Sequence, residues 1–285
     1  MVQASPRLAP PSVRPYTGPV IMAKRPLTVA WISFFPLEWL PDAPEPLRQL
    51  PREHPAPWQR LLLDELKGRP ELKLHVFSVR KHFPRSWSFE QPGVTFHCVK
   101  VPALRSLSLY WGDTVLLRRR LRAIQPDLVH AWGSECAAAL VASRLGYPYL
   151  VTMQGLLGWI KQDAGLRPTQ RIEALLEPFG LRRASLVTAE SNFAVGWLRE
   201  RYPHLEVLQI EHAAHWLFHR LERRPQTRPI EFCYVGNFCR TKGADLLLLG
   251  LDKLRAELDF KLTLVAPPDP RFLAGLKSAT SAALF

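Results

Sequence analysis

The 285-residue chain predicts an α/β fold: a parallel sheet covered by helices on both faces, followed by the incomplete start of a second unit of the same type. Three observations predict it. Short apolar runs alternate with segments of helical period from residue 27 to residue 210. The runs carry few polar interruptions, as strands buried on both faces do. The alternation breaks at an Arg- and Pro-rich stretch, 221–229, and restarts at residue 230.

The elements follow in chain order. Residues 1–26 are Pro-rich, hold no acid before Met22 and show no periodicity, so they are expected to be a disordered tail, or sequence upstream of a true start at Met22. Lys24 and Arg25 precede an apolar run in the manner of a secretion signal. No small-residue cleavage site follows, and 27–34 is read as the first buried strand. Thirteen of the 27 prolines lie in residues 1–57, so 36–57 is expected to be a long loop and not a helix. Ligands of open α/β sheets bind beyond the carboxyl ends of strands, where such a loop shapes a site. Helical spacing marks 58–66, 113–124, 136–145, 168–183 and 192–201, with Gly146 ending the third and Ser191 capping the last. Strands are read at 72–79, 94–101, 127–132, 149–152, 185–189 and 207–210. This gives a first domain over 27–220, a linker over 221–229 and a second unit from 230 with strand 230–235, helix 244–258 and strand 260–265. One strand–helix–strand unit cannot bury both faces of its sheet. The stretch 266–285 does not restore the pattern, so a truncated domain is expected.

The formal charge is +13. It fits either a generally basic composition or a specific anionic partner: a phosphorylated substrate, an acidic membrane surface or nucleic acid. No nucleic-acid motif accompanies the charge, so nucleic acid is the least expected of these. Cys98, Cys136, Cys233 and Cys239 are scattered, which fits a reducing interior rather than a disulfide framework or zinc site. No apolar run reaches membrane-spanning length. A cytoplasmic protein is expected, with a peripheral position at the inner membrane face as a variant. The segment 113–124 is amphipathic, with Arg118, Arg119, Arg120 and Arg122 on one side; it is either a solvated helix or a contact with anionic lipid.

The most informative stretch is Tyr234-Val235-Gly236-Asn237-Phe238-Cys239-Arg240-Thr241-Lys242-Gly243-Ala244-Asp245. A strand ending in glycine, a turn with positive charge and a helix N-terminus together suit a phosphate. Gly236, Asn237, Arg240, Lys242 and Gly243 are the candidate phosphate-binding residues; the alternative is a solvated turn with exposed charges.

The order of elements, with four local motifs, resembles the family 4 glycosyltransferases, whose GT-B fold has two Rossmann-like domains. Pro126-Asp127-Leu128-Val129-His130 is similar to the family's Pro-Asp-x-x-His strand end. Leu145-Gly146-Tyr147-Pro148-Tyr149-Leu150-Val151-Thr152-Met153-Gln154-Gly155 is similar to its Leu-Gly-x-Pro-x-x-x-Thr-x-His-Gly segment, with Gln154 in place of histidine. Ala189-Glu190-Ser191 precedes the last helix of the first domain. Gly236 and Lys242-Gly243 match the turn that opens the donor domain, with Asn237 in place of arginine. Glu211 and His212 stand where Asn-Gly is usual, and the long first loop lacks the usual glycine pair.

The resemblance implies a transferase, hexosyltransferase-like and retaining, that moves a sugar from a nucleotide-sugar to a saccharide or lipid hydroxyl. It implies no cofactor and no metal. His130 is the candidate catalytic residue, as an acid/base or a hydroxyl partner, with a histidine satisfied within the sheet as the alternative. Gln154, Gly155, Glu211 and His212 are the candidate substrate-binding residues. His212, His215 and His219 have helical i, i+3, i+7 spacing, but interdomain contact is expected there rather than metal binding. Glu135 reads as a helix-dipole partner. The family's donor-sugar acids lie further along the second domain than this chain reaches. The expectation is therefore a glycosyltransferase of which this stretch is an inactive fragment; the alternative is a non-catalytic saccharide- or anion-binding module.

Overall fold

A computed structural model describes residues 25–161, 166–222, 229–239, 242–266 and 274–275. The chain forms two compact units, 1–215 and 216–285. The expected tail falls almost wholly outside the described residues.

The first unit is built on an eight-stranded sheet in the order β3-β4-β2-β1-β5-β6-β7-β8. The strands are β1 (Leu27–Ser33), β2 (Leu72–Arg80), β3 (Trp87–Gln91), β4 (Val94–Lys100), β5 (Leu128–Trp132), β6 (Tyr149–Thr152), β7 (Leu186–Ala189) and β8 (Val207–Gln209). All neighbours are parallel except β3 and β4. The strand period of two divides the core. Ala30, Ile32, Val129 and Ala131 face one layer, with Leu117, Leu121 and the alanines of residues 138–142. Val29, Trp31, Val76 and Trp132 face the other, with Phe35, Leu37 and Leu63. The helices are α1 (Glu45–Arg48), α2 (Pro57–Leu66), α3 (Trp111–Ile124), α4 (Ala138–Leu145), α5 (Leu157–Ile160), α6 (Pro168–Leu181) and α7 (Asn192–Arg201). Ser191 caps α7, its hydroxyl accepting from Ala194 N at 3.2 Å.

Two expectations are corrected. β3 has no counterpart in the sequence reading; it is an antiparallel edge strand whose residues alternate between half-buried and exposed, so it lacks the apolar run of its neighbours. The stretch 36–57 holds a 3₁₀ turn (Leu37–Trp39) and the one-turn helix α1, which Pro46 opens rather than breaks. The stretch is pinned by a buried ion pair. Arg80 Nη1 lies 2.8 Å from Glu38 Oε2, both side chains being 3% exposed or less. Arg80 Nη2 also donates to the Phe35 carbonyl at 2.6 Å.

The second unit contains α8 (Trp216–Arg220), β9 (Ile230–Val235), α9 (Ala244–Leu254) and β10 (Phe260–Val265), with β9 and β10 parallel. α9 buries Ala244, Leu248 and Leu251 and ends before the expected residue 258. His212 and His215 precede α8, so the three histidines do not share a helix face.

Candidate functional site

A cavity of about 520 Å³ opens where β1, β5 and β6 end, within the first unit. Ile32, Val79, Leu117 and Val141 give it an apolar floor, and Trp58 and Trp132 give it aromatic walls. Arg105, Asp113, Glu135, Gln154 and Glu173 bring polar groups into it. His54 and Ala56, from the long first loop, complete one side, as the position of that loop after β1 leads one to expect.

Glu135 is the most unusual group. After β5 the chain turns through Gly133 (φ +84°) and then through Cys136 and Ala137, both at positive φ. The turn folds the Glu135 carboxylate back against two glycines. A Cβ on Gly133 would sit 2.3 Å from Glu135 Oε2, and one on Gly155 would sit 2.5 Å from Oε1. A side chain at either glycine would push the Glu135 carboxylate out of this position. The residue is half-buried, but Oε2 is shielded from water and has no hydrogen-bond partner among the described residues. Loss of hydration pushes its pKa up to about 7, and the nearby Glu177 and Glu173 carboxylates add to the rise. At neutral pH Glu135 can therefore accept or donate a hydrogen bond.

The surrounding groups are held by specific bonds. Glu177 accepts from Ser134 Oγ (2.5 Å), Leu157 N (3.1 Å) and Gly158 N (3.0 Å), which anchors the chain after β5 and the start of α5 to α6. Tyr110 Oη donates to Glu173 Oε1 at 2.7 Å. Arg105 Nη2 pairs with the buried Asp113 at 2.5 Å.

Aromatic rings continue from the cavity wall. Trp58 and His212 stack nearly parallel (5.3 Å, 8°), His54 packs on Trp58 (5.3 Å), and His212 lies 6.4 Å from Trp132. The indole N–H groups of Trp58 and Trp132 are shielded and lack partners among the described residues. Such walls suit the apolar face of a sugar ring, while orphan donors suit its hydroxyls.

His130 lies elsewhere than an acid/base would need. Its ring is buried between Trp31 (5.7 Å) and Trp132 (4.7 Å), and its Nε2 is bonded to Thr152 Oγ1 at 2.8 Å, which in turn accepts from Thr188 at 2.8 Å. Burial pushes its pKa down to about 3, so the ring is neutral. The expected cleft-facing position is corrected: β5 directs His130 into the sheet layer, and its neighbour Trp132 reaches the cavity. Of the other expected substrate-binding residues, Gln154 lines the cavity, Gly155 backs Glu135, and His212 stacks on Trp58. His212 Nε2 also lies 3.2 Å from Glu190 Oε2. Glu211 is exposed and accepts from Gln209 at 3.3 Å, away from the cavity lining. Arg105, Asp113 and Glu173 escaped the sequence reading, and Glu135 was read only as a helix-dipole partner, because no spacing links segments that only the sheet brings together. Trp132 carried a signal, its place at a strand end before glycine.

In the second unit, β9 runs into Gly236 (φ +145°), whose N–H donates to Val265 O at 3.1 Å. Tyr234 Oη donates to Asn237 O at 2.7 Å, and Lys242 N to Cys239 O at 3.1 Å. Gly243 (φ +70°) forms the N-cap of α9. The strand–turn–helix geometry expected of Gly236, Asn237, Lys242 and Gly243 is present; Arg240 lies outside the described residues. On α3, Arg119 and Arg122 are exposed, while Arg118 donates to the Arg144 carbonyl and Arg120 to that of Leu116. No helix among the described residues is long and apolar enough to cross a membrane.

A mostly parallel sheet with helices on both faces and a cleft at its carboxyl edge defines the Rossmann-like class used by GT-B proteins. Residues 60–211 match the Glycosyl transferase 4-like domain, and the chain belongs to that family. Solved structures agree in fold. A sucrose-phosphate synthase from Thermosynechococcus elongatus is 15% identical with a TM-score of 0.61, the match covering 90% of this chain and 68% of that one. A glycosyltransferase from Rickettsia africae ESF-5 is 15% identical with a TM-score of 0.54, over 90% of this chain and 64% of that one. S. aureus MnaA in a UDP co-structure is 12% identical with a TM-score of 0.51, over 90% and 65%. The chain thus spans about two thirds of the length of these structures. No curated protein sequence matches it.

Proposed function

We propose that the protein transfers a hexose from a nucleotide-sugar to a hydroxyl of a saccharide or lipid acceptor. The observation that carries this is the cavity at the sheet edge, with aromatic walls and the shielded Glu135 Oε2, which has no hydrogen-bond partner among the described residues, in a chain of a glycosyltransferase family. The acceptor ring lies against Trp58 and Trp132, and Glu135 and Gln154 bind its hydroxyls. The donor diphosphate is held at the turn from Gly236 to Gly243, where N–H groups and Lys242 meet its charge. In the reaction the anomeric C–O bond to the diphosphate breaks and the diphosphate leaves with the electron pair. A bond forms from the acceptor oxygen to the anomeric carbon, and the acceptor proton is lost to the leaving group or to Glu135. Retention of configuration, and a reaction without metal, belong to this proposal through the family resemblance.

The test is calorimetric titration of the chain with UDP and GDP, followed by transfer from the matching radiolabelled sugar to methyl hexosides and octyl glucoside. Expected are nucleotide binding that weakens about tenfold in Lys242→Ala and a glycoside product with the donor's anomeric configuration. Saccharide binding with no nucleotide binding would instead establish the non-catalytic binding module.

A further inference from the structure

The first unit displays an apolar surface that its core does not use. Between β4 and the middle of α3 the chain presents Leu104, Leu107, Leu109, Trp111 and Val115, each between 46% and 76% exposed. Within the segment, Arg105 and Tyr110 turn inward while the leucines stay exposed. Arg105 pairs with buried Asp113, donates to Cys136 O at 2.7 Å and lies 5.0 Å over the Tyr110 ring. Tyr110 is buried and bonded to Glu173. Arg144 donates to Leu109 O at 2.7 Å and sits 4.4 Å over Trp111. Leu109 (φ +47°) and Tyr110 (φ +63°) form a tight turn that these bonds hold. The leucines are therefore held in display by a fixed backbone, which is costly in water and points to a surface that covers them.

Charge says what that surface is. Residues 100–125 contain six lysines and arginines, and their one acid, Asp113, is buried against Arg105. Trp111, Val115, Arg119 and Arg122 are exposed at helical spacing on one face of α3. The face thus passes from apolar to cationic along a single helix. An anionic bilayer has the complementary order, with apolar side chains entering the acyl boundary and guanidinium groups at the phosphate level.

We propose that the segment Leu104–Trp111 and the exposed face of α3 dock the protein onto an anionic lipid bilayer. The arginine helix alone, two of whose guanidinium groups bond to backbone carbonyls, is only part of this surface. Arg105 and Asp113, from the same two elements, also line the cavity, so docking brings a lipid-borne acceptor next to Glu135. That use rests on the glycosyl-transfer reading; the docking does not.

The experiment is co-sedimentation of the full chain with phosphatidylcholine vesicles, with and without phosphatidylglycerol, in the absence of any sugar or nucleotide. The chain is expected to bind the anionic vesicles and to bind the neutral ones far less. Leu104→Ser with Leu107→Ser lowers partitioning by about tenfold or more. Arg119→Glu with Arg122→Glu removes the preference for phosphatidylglycerol, at roughly fivefold per residue. All four positions are exposed, so circular dichroism and Tm stay unchanged. Absence of binding to anionic vesicles, or binding indifferent to the leucine pair, overturns the proposal. So does light scattering that shows a dimer which the leucine pair dissociates, since the surface would then belong to a second copy. Vesicle binding without nucleotide binding would remove the transfer reading and leave the docking intact.

Discussion

Glu135 and His130 show how differently two titratable side chains near one strand end are treated. Glu135 has an oxygen without a hydrogen-bond partner among the described residues, whereas His130 has a hydrogen-bonded nitrogen and aromatic rings on both sides. Glu135→Gln is expected to lower saccharide affinity and transfer by roughly tenfold, the scale of one hydrogen bond to a charged group, as read by titration and initial rates. His130→Ala is expected to act on stability instead, by about 2–4 kcal/mol for a buried ring whose loss leaves the Thr152 hydroxyl with only its bond from Thr188. Transfer per folded molecule should then change only a few-fold. A complete loss of transfer in a folded His130→Ala protein would return the catalytic role to that residue. The sequence named His130 as catalytic and gave Glu135 only a helix-dipole role because a motif shows that a histidine follows a strand but not which layer it enters.

At the scale of elements, two contacts set the shape of the cavity. Gly180 of α6 lies against α4, where a Cβ would be 2.7 Å from Leu140 N and 3.0 Å from Ala139 C, both backbone atoms. Gly180→Ala is expected to cost about 1–3 kcal/mol and to shift Glu173 and Glu177, which α6 carries; thermal unfolding checks the first effect and acceptor affinity the second. The Arg80–Glu38 pair holds the long loop that supplies His54 and Ala56. Glu38→Ala, which leaves the Arg80 charge buried, is expected to cost about 3–5 kcal/mol. Denaturant titration measures it. Most of these elements were legible, because buried parallel strands write themselves as apolar runs. β3 was not, since a half-exposed edge strand alternates like a loop. The Arg80–Glu38 pair was not either, since 42 residues separate its members.

For the molecule as a whole, buried titratable groups give stability two limbs. His97 and His130, held by burial at pKa values of about 4 and 3, stay neutral in the fold while the unfolded chain protonates them near 6.5. Their contribution is present above pH 6.5 and is lost as pH falls through 4 towards 3. Glu135 has the opposite sign. Its pKa is raised from 4.5 to about 7, so its cost appears as pH rises above 4.5 and is complete near 7. Over about pH 4.5–6.5 the two histidines outweigh Glu135, so maximum stability from these groups is expected near pH 6.5, where the histidine contribution is complete and only the Glu135 cost still grows. Glu135→Gln should move the maximum upward, gaining on the parent by about 1.4 kcal/mol per pH unit between the two Glu135 values. Chemical unfolding of both proteins across pH 4–8 tests this, and parallel curves would refute the shielded carboxyl. By itself the sequence determined the α/β class, the order of nearly every strand and helix, the resemblance to the glycosyltransferases and the glycine turn before α9. These are properties of short segments, recorded in period, caps and glycine. The tertiary structure alone decided which side chains meet at the cavity, that His130 is held within the sheet layer while Glu135 lines the cavity, and that leucines rather than arginines lead the outer surface. Those outcomes depend on strand order and layer, which unite residues far apart in sequence and leave no local mark.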